Sequence, residues 1–512
     1  MYLLHVPSHL RPLRIQTLRG TMQRNGFPSL QVFPRSAFLP PFLHMSVLVI
    51  KFGGTSVGNA DAMQQAAAIV AQAAVEWEHV VVVTSALAGV TNLLLESAQQ
   101  AARGVMQPFY QAETELRERH TEIAAALLAD ASVQARVERQ IGELLASFRM
   151  LCQAIAVLGE ASPRALDAVA SLGERMSVRL LSAVLNGQGL PARFVEASEC
   201  IVTDDHFQNA YPHLEQTITR SRTVLWPMLQ GGLLPVVTGF LAATPEGAIT
   251  TLGRGGSDYS AALLAAALPA DEVWIMTDVD GVMTADPRLV PQARSIPQLT
   301  YREVAELAYF GAKVVHPKTI RPVIERGIGL RIANTFRPQH PGTRLVPNGE
   351  QADGHIKAVT TVPAVRLITI EGRGMLGVPG VAARTFGAVA ALGVSVTLIS
   401  QASSEQSICF TVPSASCQQV VHALEETFAA EIERRDIDRV WPGEEAVILT
   451  VVGAGMRHTP GIAGQIFTAL GQAGVNVVAI AQGSSEVSIS LVVSADDASA
   501  ALQALHALTT ED

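Results

Sequence analysis

The chain has 512 residues, 48% apolar and 16% charged, which is material for several buried cores and rules out wholesale disorder. Its 37 Lys and Arg against 46 Asp and Glu leave a net charge of −9, which disfavours a nucleic-acid partner. No unbroken apolar run approaches the ~18 residues of a membrane span, and four scattered cysteines without a CxxC pair argue against a zinc site and for reduced thiols in a cytoplasmic protein.

In chain order, residues 1–50 hold five arginines and no acidic residue, a transit-peptide composition. Pro7, Pro12, Pro28, Pro34, Pro40 and Pro41 spoil a long amphipathic helix there, and translation from Met45 loses no recognisable structure. The expectation over 1–44 is a leader that is disordered or precedes the true start. Val47–Ile50 then reads as a strand running into Lys51-Phe52-Gly53-Gly54-Thr55-Ser56, followed by a helix over Ala60–Ala74 and a strand over Val80–Val83 ending in Thr84-Ser85. Strand, glycine turn, helix and strand make the rhythm of a parallel α/β sheet. Residues 96–165 read as mostly helical, strand signals return at Phe194–Val195, Leu234–Thr238, Val273–Thr277 and Leu330–Ile332, and the polar stretch 346–360 reads as a linker.

The C-terminal part repeats itself at a constant offset of 81: Pro379-Gly380, Phe386, Gly393-Val394 and Val396 return as Pro460-Gly461, Phe467, Gly474-Val475 and Val477, and Gln401 returns as Gln482. An ungapped register predicts two copies of one small α/β module, each reading strand, helix, strand, turn, strand, helix.

Several groups carry chemistry. The Lys51-Phe52-Gly53-Gly54 turn, between strand and helix, is either a phosphate cradle with a neutralising lysine or a plain structural turn. Gly253-Arg254-Gly255-Gly256-Ser257-Asp258 leads into a helix; Ser257 is its N-cap candidate, and an Arg beside an Asp suits the two charges of an amino acid, with simple capping as the alternative. Glu174 opens another helix, off its buried stripe, where it could face a ligand or merely complement the helix dipole. Thr277-Asp278 ends a strand, with Met283 and Arg288 beyond it, on a plausible nucleotide rim; Phe310-Gly311-Ala312-Lys313-Val314 adds a lysine. Two lysines, two glycine turns, an Arg, an Asp and a Glu form an inventory for phosphoryl transfer, with no metal-ligand spacing to compete.

These segments, with Gly173-Glu174-Arg175-Met176-Ser177 and Trp274-Ile275-Met276-Thr277-Asp278, resemble the aspartokinase branch of the amino acid kinase family from about Val47 onward. The resemblance implies a parallel-sheet, three-layer catalytic domain over 45–345, a linker over 346–362 and two ferredoxin-like α+β ACT domains over 363–440 and 445–512. It implies phosphorylation of the side-chain carboxylate of L-aspartate by ATP with nucleotide-borne Mg²⁺, toward lysine, threonine and methionine. Carried over by position, Lys51 and Asp258 are catalytic. Lys51, Phe52, Gly53, Gly54, Thr277, Asp278, Met283, Arg288, Lys313 and Val314 hold the nucleotide, Met283 standing where relatives often carry Tyr. Ser85, Thr91, Glu174, Arg254, Ser257 and Asp258 hold aspartate, with Arg254 on the α-carboxylate. Gln401, Asn476 and Gln482 are candidates for contact with lysine or threonine, and the ACT domains imply a homodimer or larger homo-oligomer. Ser400–Glu405 and Ala481–Glu486 resemble the form in bifunctional aspartokinase–homoserine dehydrogenases; no dehydrogenase part is expected. A kinase for another acceptor and an amino-acid sensor on an inactive kinase fold are the alternatives.

Overall fold

The computed structural model describes residues 46–311, 315, 317–347, 356–375, 379–401, 406–483 and 486–509. The arginine-rich leader with Met45, and Lys313 and Val314, lie outside them.

The N-terminal half runs β1 (Val47–Phe52), α1 (Ala60–Glu76), β2 (His79–Thr84), α2 (Val90–Ala102), α3 (Gln107–Leu127), α4 (Ala131–Leu158), α5 (Pro163–Gly187), β3 (Ala192–Val195), α6 (Leu214–Gln230), β4 (Leu234–Thr238), β5 (Leu241–Ala243), β6 (Ile249–Thr251), α7 (Gly256–Ala267), β7 (Glu272–Thr277), β8 (Gln298–Thr300), α8 (Tyr301–Tyr309), α9 (Pro317–Ile324), β9 (Gly329–Asn334) and β10 (Thr343–Val346). Eight of the strands form one sheet in the order β3-β4-β2-β1-β7-β9-β10-β8; neighbours are parallel except β9 and β10. Apolar runs buried on both faces are what such a sheet requires, and the alternation of side chains along each strand divides them between two cores. Leu48, Ile50 and Phe52 with Val80 and Val82 pack under α1 to α5; Val47 and Val49 with Val81 and Val83 pack under α6 to α9. Three layers result.

The helices begin where short polar side chains satisfy free amides: Asn59, Asp130 and Ser162 each accept from the first turn of α1, α4 and α5. α4 is, among described helices, long and apolar enough by length and composition to cross a membrane, although it contains no unbroken apolar run of span length. Its stripe of Val137, Ile141, Leu144, Leu145, Phe148, Cys152 and Ile155 is buried in the core shared with α2, α3 and α5, as in a core helix. The cysteines are free; burial pushes the Cys152 thiol up to about 12 and that of Cys200 up as well.

The C-terminal half runs β11 (Ala358–Glu371), α10 (Val381–Ala391), β12 (Leu398–Gln401), β13 (Ser407–Pro413), α11 (Cys417–Thr427), α12 (Ala429–Arg434), β14 (Arg439–Val452), α13 (Ile462–Gln472), β15 (Ala479–Gln482), β16 (Ser488–Ser494) and α14 (Ala498–His506). The 81-residue offset is structural: β11 and β14, α10 and α13, β12 and β15, β13 and β16 have bounds shifted by that interval. Gly380 and Gly461 cap the paired helices at φ 94°, a conformation that favours glycine. The six strands form one antiparallel sheet, β12-β13-β11-β14-β16-β15.

One domain boundary differs from the expected one. Ala358–Val362, assigned to the linker, is strand and pairs with Ile448–Val452. At Pro363-Ala364 the register slips, with Ala364 at φ 54°, and Val365–Glu371 pairs instead with β13 and with the first half of β14. In sequence the first module is thus inserted between two paired strands of the second, and each module receives half of β11 and half of β14.

Candidate active site

Lys51 is an odd-numbered residue of β1, so it shares a face with Val47 and Val49 and points to the layer that contains α7. There its Nζ lies 2.6 Å from Asp258 Oδ1, with side-chain exposures of 11% and 17%. Asp258 occupies the first turn of α7, where the helix dipole favours a carboxylate. The carboxyl end of β1 is where the strand order reverses, with β2 on one side and β7 on the other. That position is the usual ligand crevice of open parallel sheets.

A cleft of about 390 Å³ opens there, lined by Lys51, Gly53 and Gly54, by Ser85 to Gly89 with Thr91 and Asn92, by Glu174, by Phe240, and by Gly253 with Gly255 to Asp258. The glycines let its walls close. A Cβ on Gly54 would lie 3.0 Å from the Ala86 carbonyl oxygen, and one on Gly173 would lie 2.8 Å from Ala86 Cβ. α5 therefore reaches the β2–α2 loop and delivers Glu174 into the cleft from the opposite layer. Glu174 is 3% exposed, and burial pushes its carboxyl up to about 8 against the pull of the Ala86 amide. Its Oε2 has no hydrogen-bond partner, which is costly in a buried carboxyl and marks a place for a donor. The cleft can thus hold a polyanion against Lys51, the glycine amides and the α7 N-terminus, and a cation against Glu174.

Most of the expected substrate set meets in this cleft: Lys51, Gly53, Gly54, Ser85, Thr91, Glu174, Ser257 and Asp258 line it together. Arg254 does not; it is exposed between two lining glycines. Ser257 is not the N-cap of α7, which is Gly255 at φ 71°; the Ser257 side chain packs on Gly239 instead, where a Cβ would come within 2.6 Å of its Oγ. Phe52 is buried and lies outside the lining set. Thr277 and Asp278 follow the β7 residue that pairs with Phe52 and so occupy the same rim, though they do not line the cleft. Met283 is half-buried, bridged to Ser295, and Arg288 is engaged by Asp286 at 2.5 Å; neither reaches the cleft. Gln401 and Gln482 end the two edge strands β12 and β15, exposed like Asn476. Among the described residues no group of three or more His, Cys, Asp or Glu is placed to hold a metal. Sequence reasoning missed Phe240, Ala86 to Gly89 and Asn92. Phe240 carried one signal, its place just beyond a parallel strand; its φ of 66° is uncommon outside glycine.

Residues 46–334 match the amino acid kinase family, and 368–428 and 449–508 match ACT domains. Aspartokinase 3, chloroplastic, of Arabidopsis thaliana is 36% identical over 90% of this chain and 80% of its own length. The chloroplastic bifunctional aspartokinase/homoserine dehydrogenase of Daucus carota is 37% identical over 89% of this chain; the chain spans 50% of that relative, about half the length of the bifunctional proteins. The solved structure of E. coli aspartokinase III in complex with aspartate and ADP (R-state) aligns with a TM-score of 0.75 at 31% identity, covering 91% of this chain and 100% of that one. The same enzyme in complex with lysine and aspartate (T-state) aligns with a TM-score of 0.73. With a parallel-sheet domain and its cleft followed by a duplicated six-stranded sheet, and with these matches along both, the chain belongs to the amino acid kinase family, in its aspartokinase branch with paired ACT domains.

Proposed function

We propose that the protein transfers the terminal phosphoryl group of ATP to the side-chain carboxylate of L-aspartate, giving 4-phospho-L-aspartate, as a cytoplasmic step toward lysine, threonine and methionine. The observation that carries this reading is the opposition, across one cleft, of the Lys51–Asp258 pair and the buried Glu174 carboxyl, whose Oε2 has no hydrogen-bond partner. The first suits a phosphoryl group in transfer and the second an α-ammonium. The likeness to a structure of a named aspartokinase with aspartate and ADP supports it.

The acceptor carboxylate is already ionised and needs no general base. Lys51 and the Gly54 amide counter the charge that builds on the transferring phosphoryl, the Gly53 amide being engaged by the Met276 carbonyl at 3.2 Å. Mg²⁺ would arrive on the ATP phosphates and neutralise their oxygens. Asp258 is held by Lys51 and Glu174 is buried, so the cleft leaves the ion to phosphate and water. Lysine or threonine would act at the ACT sheet, with Gln401, Asn476 and Gln482 as contacts, and like modules of two chains would pair into a homo-oligomer. The test is trapping of acyl phosphate as hydroxamate with a panel of carboxylic acceptors, with and without lysine and threonine. Product formation from another acceptor and none from aspartate would sink the assignment.

Two further results are expected. Arg254→Ala should raise the aspartate KM at least ~10-fold with little change for ATP, the loss of one charge-assisted anchor; equal effects on both substrates would remove Arg254 from the carboxylate. Glu174 makes aspartate binding pH-linked. With its carboxyl pushed up to about 8 in the empty cleft, it is protonated at neutral pH, and a docked ammonium restores the anion. Binding at pH 7 should therefore release close to one proton, fading above about pH 9. Calorimetry in buffers of different ionisation enthalpy reads this, and release that persists in Glu174→Gln would contradict it. The same shift makes the empty protein lose stability as pH rises between 4.5 and about 8, because the folded state keeps a proton that the unfolded chain has released.

A further inference from the structure

A second buried carboxylate on α5 has no part in the scheme above. Asp167 lies two helical turns before Glu174, on the same side of the helix, and is 1% exposed. Its Oδ2 accepts from the backbone amides of Thr251 at 3.0 Å and Gln208 at 2.9 Å, and its Oδ1 accepts from Thr251 Oγ1 at 2.8 Å. No cation stands among the causes that shift its titration: burial raises its pKa and these three donors pull it back. A buried anion held by three neutral donors, two of them backbone, is an expensive way to fasten two loops.

Both loops lead to the cleft. Thr251 ends β6, one residue from Leu252, whose amide donates to the Phe240 carbonyl, and two from Gly253, where the turn bearing Arg254 and Asp258 begins. Gln208, at φ 70°, and Asn209 press on that turn from outside: a Cβ on Gly253 would lie 2.7 Å from Asn209 Oδ1 and 3.1 Å from the Gln208 carbonyl oxygen. The Ala210 amide closes the ring by donating to the Thr251 carbonyl at 3.0 Å. One side chain thus sets the helix that carries Glu174 against the turn that carries Arg254 and Asp258.

We propose that Asp167 is a positioning residue of the acceptor pocket, fixing the spacing between the group that receives the substrate ammonium and the turn that receives its carboxylate. This rests on the aspartate kinase reading. The nucleotide rim on β1 and β7 does not pass through Asp167; the α7 N-terminus is the one element that the phosphate and acceptor sides share. Loss of Asp167 therefore acts more on the acceptor than on ATP.

The test is steady-state kinetics of Asp167→Ala in the full chain, with melting temperature measured alongside. Truncation removes the acceptor of both backbone amides and of the Thr251 hydroxyl, so both loops lose their tie to α5. The aspartate KM should rise at least ~10-fold, the scale of a sub-ångström misplacement, with the ATP KM within ~2-fold. Asp167→Glu, which keeps the charge but shifts it by one methylene, should not restore it. Thr251→Val deletes only the Oγ1 bond and should give a smaller rise in the same KM; it decides the matter if Asp167→Ala does not fold. Unchanged aspartate KM in the variants that fold, or equal increases for both substrates, would overturn the proposal. A wild-type enzyme without aspartate-dependent turnover would instead overturn the reading on which it rests.

Discussion

Lys51→Ala is expected to lower kcat at least ~100-fold, the loss seen when one preorganised transition-state donor is removed, while the ATP KM moves far less. The size follows from where the strand puts the ammonium. Lys51 is the polar residue at the end of an otherwise buried strand, 11% exposed, and is held 2.6 Å from Asp258. Substrate thus meets a charge already fixed in direction, at little cost in reorganisation. Truncation has a second effect. Asp258, 17% exposed, would be left as an unpaired negative charge facing the phosphoryl group, so the variant loses an attraction and gains a repulsion. Lys51→Arg should not rescue, because a planar fork cannot take the place of a compact ammonium beside Asp258. Lys51→Ala with Asp258→Asn should recover part of the loss by removing the repulsion. Turnover of Lys51→Ala within ~3-fold of wild type, in protein of unchanged melting temperature, would take Lys51 out of the chemistry.

The parts of this site that were legible in the sequence share a cause. Parallel strands buried on both faces are short unbroken apolar runs, so β1, β2, β4 and β7 stand out, and the polar residues at their carboxyl ends mark the rim. β5, β6 and β8 are only three residues long; no periodicity can show over that length, and partners elsewhere in the fold decide their state. β6 matters most, because it hides Thr251 and with it the role of Asp167, which as a lone acid on a helix carries no motif. Ser257 misled because capping chemistry favours serine in general, whereas here Gly255 takes the left-handed position and α7 starts earlier. The repeat showed two like modules, but self-similarity cannot say which copy a strand pairs with. Ala358–Val362 completes the second module only through a register slip at Pro363-Ala364.

Glu303→Ala is expected to weaken the join between the catalytic and regulatory halves by about 3–5 kcal/mol, the cost of removing one member of a buried ionic cluster. Glu303 is fully buried in the first turn of α8. Its Oε2 accepts from the Thr300 amide at 2.6 Å and from Thr300 Oγ1 at 2.9 Å, closing a capping box. Its Oε1 accepts from the Ala454 amide of the second module at 2.7 Å and lies 3.5 Å from Lys357 Nζ, at the entry to β11. Removing the carboxylate strands two amides at once and leaves the 13%-exposed Lys357 ammonium without its anion, on the Gln298 carbonyl alone. Other ties across the join include the Val359 amide to the Thr284 carbonyl at 2.8 Å, Thr360 Oγ1 to the Phe310 carbonyl at 2.8 Å, Ser488 to Glu306 at 2.8 Å, Thr284 to His506 at 2.9 Å and Arg294 to the Thr509 carbonyl at 3.1 Å, with Ala285 and Val290 inserted into the second module's core. None of them gathers three segments on one atom group. Calorimetry should therefore show the regulatory half melting separately from the catalytic half. Inhibition by an end-product amino acid should weaken while uninhibited turnover persists, since no group in the Lys51 cleft is touched. α8 also ends at Tyr309, whose hydroxyl reaches the Val396 carbonyl of the first module at 3.4 Å, so one helix contacts both regulatory modules. A single transition at an unchanged temperature, with full end-product sensitivity, would show that the two halves are coupled by some other route.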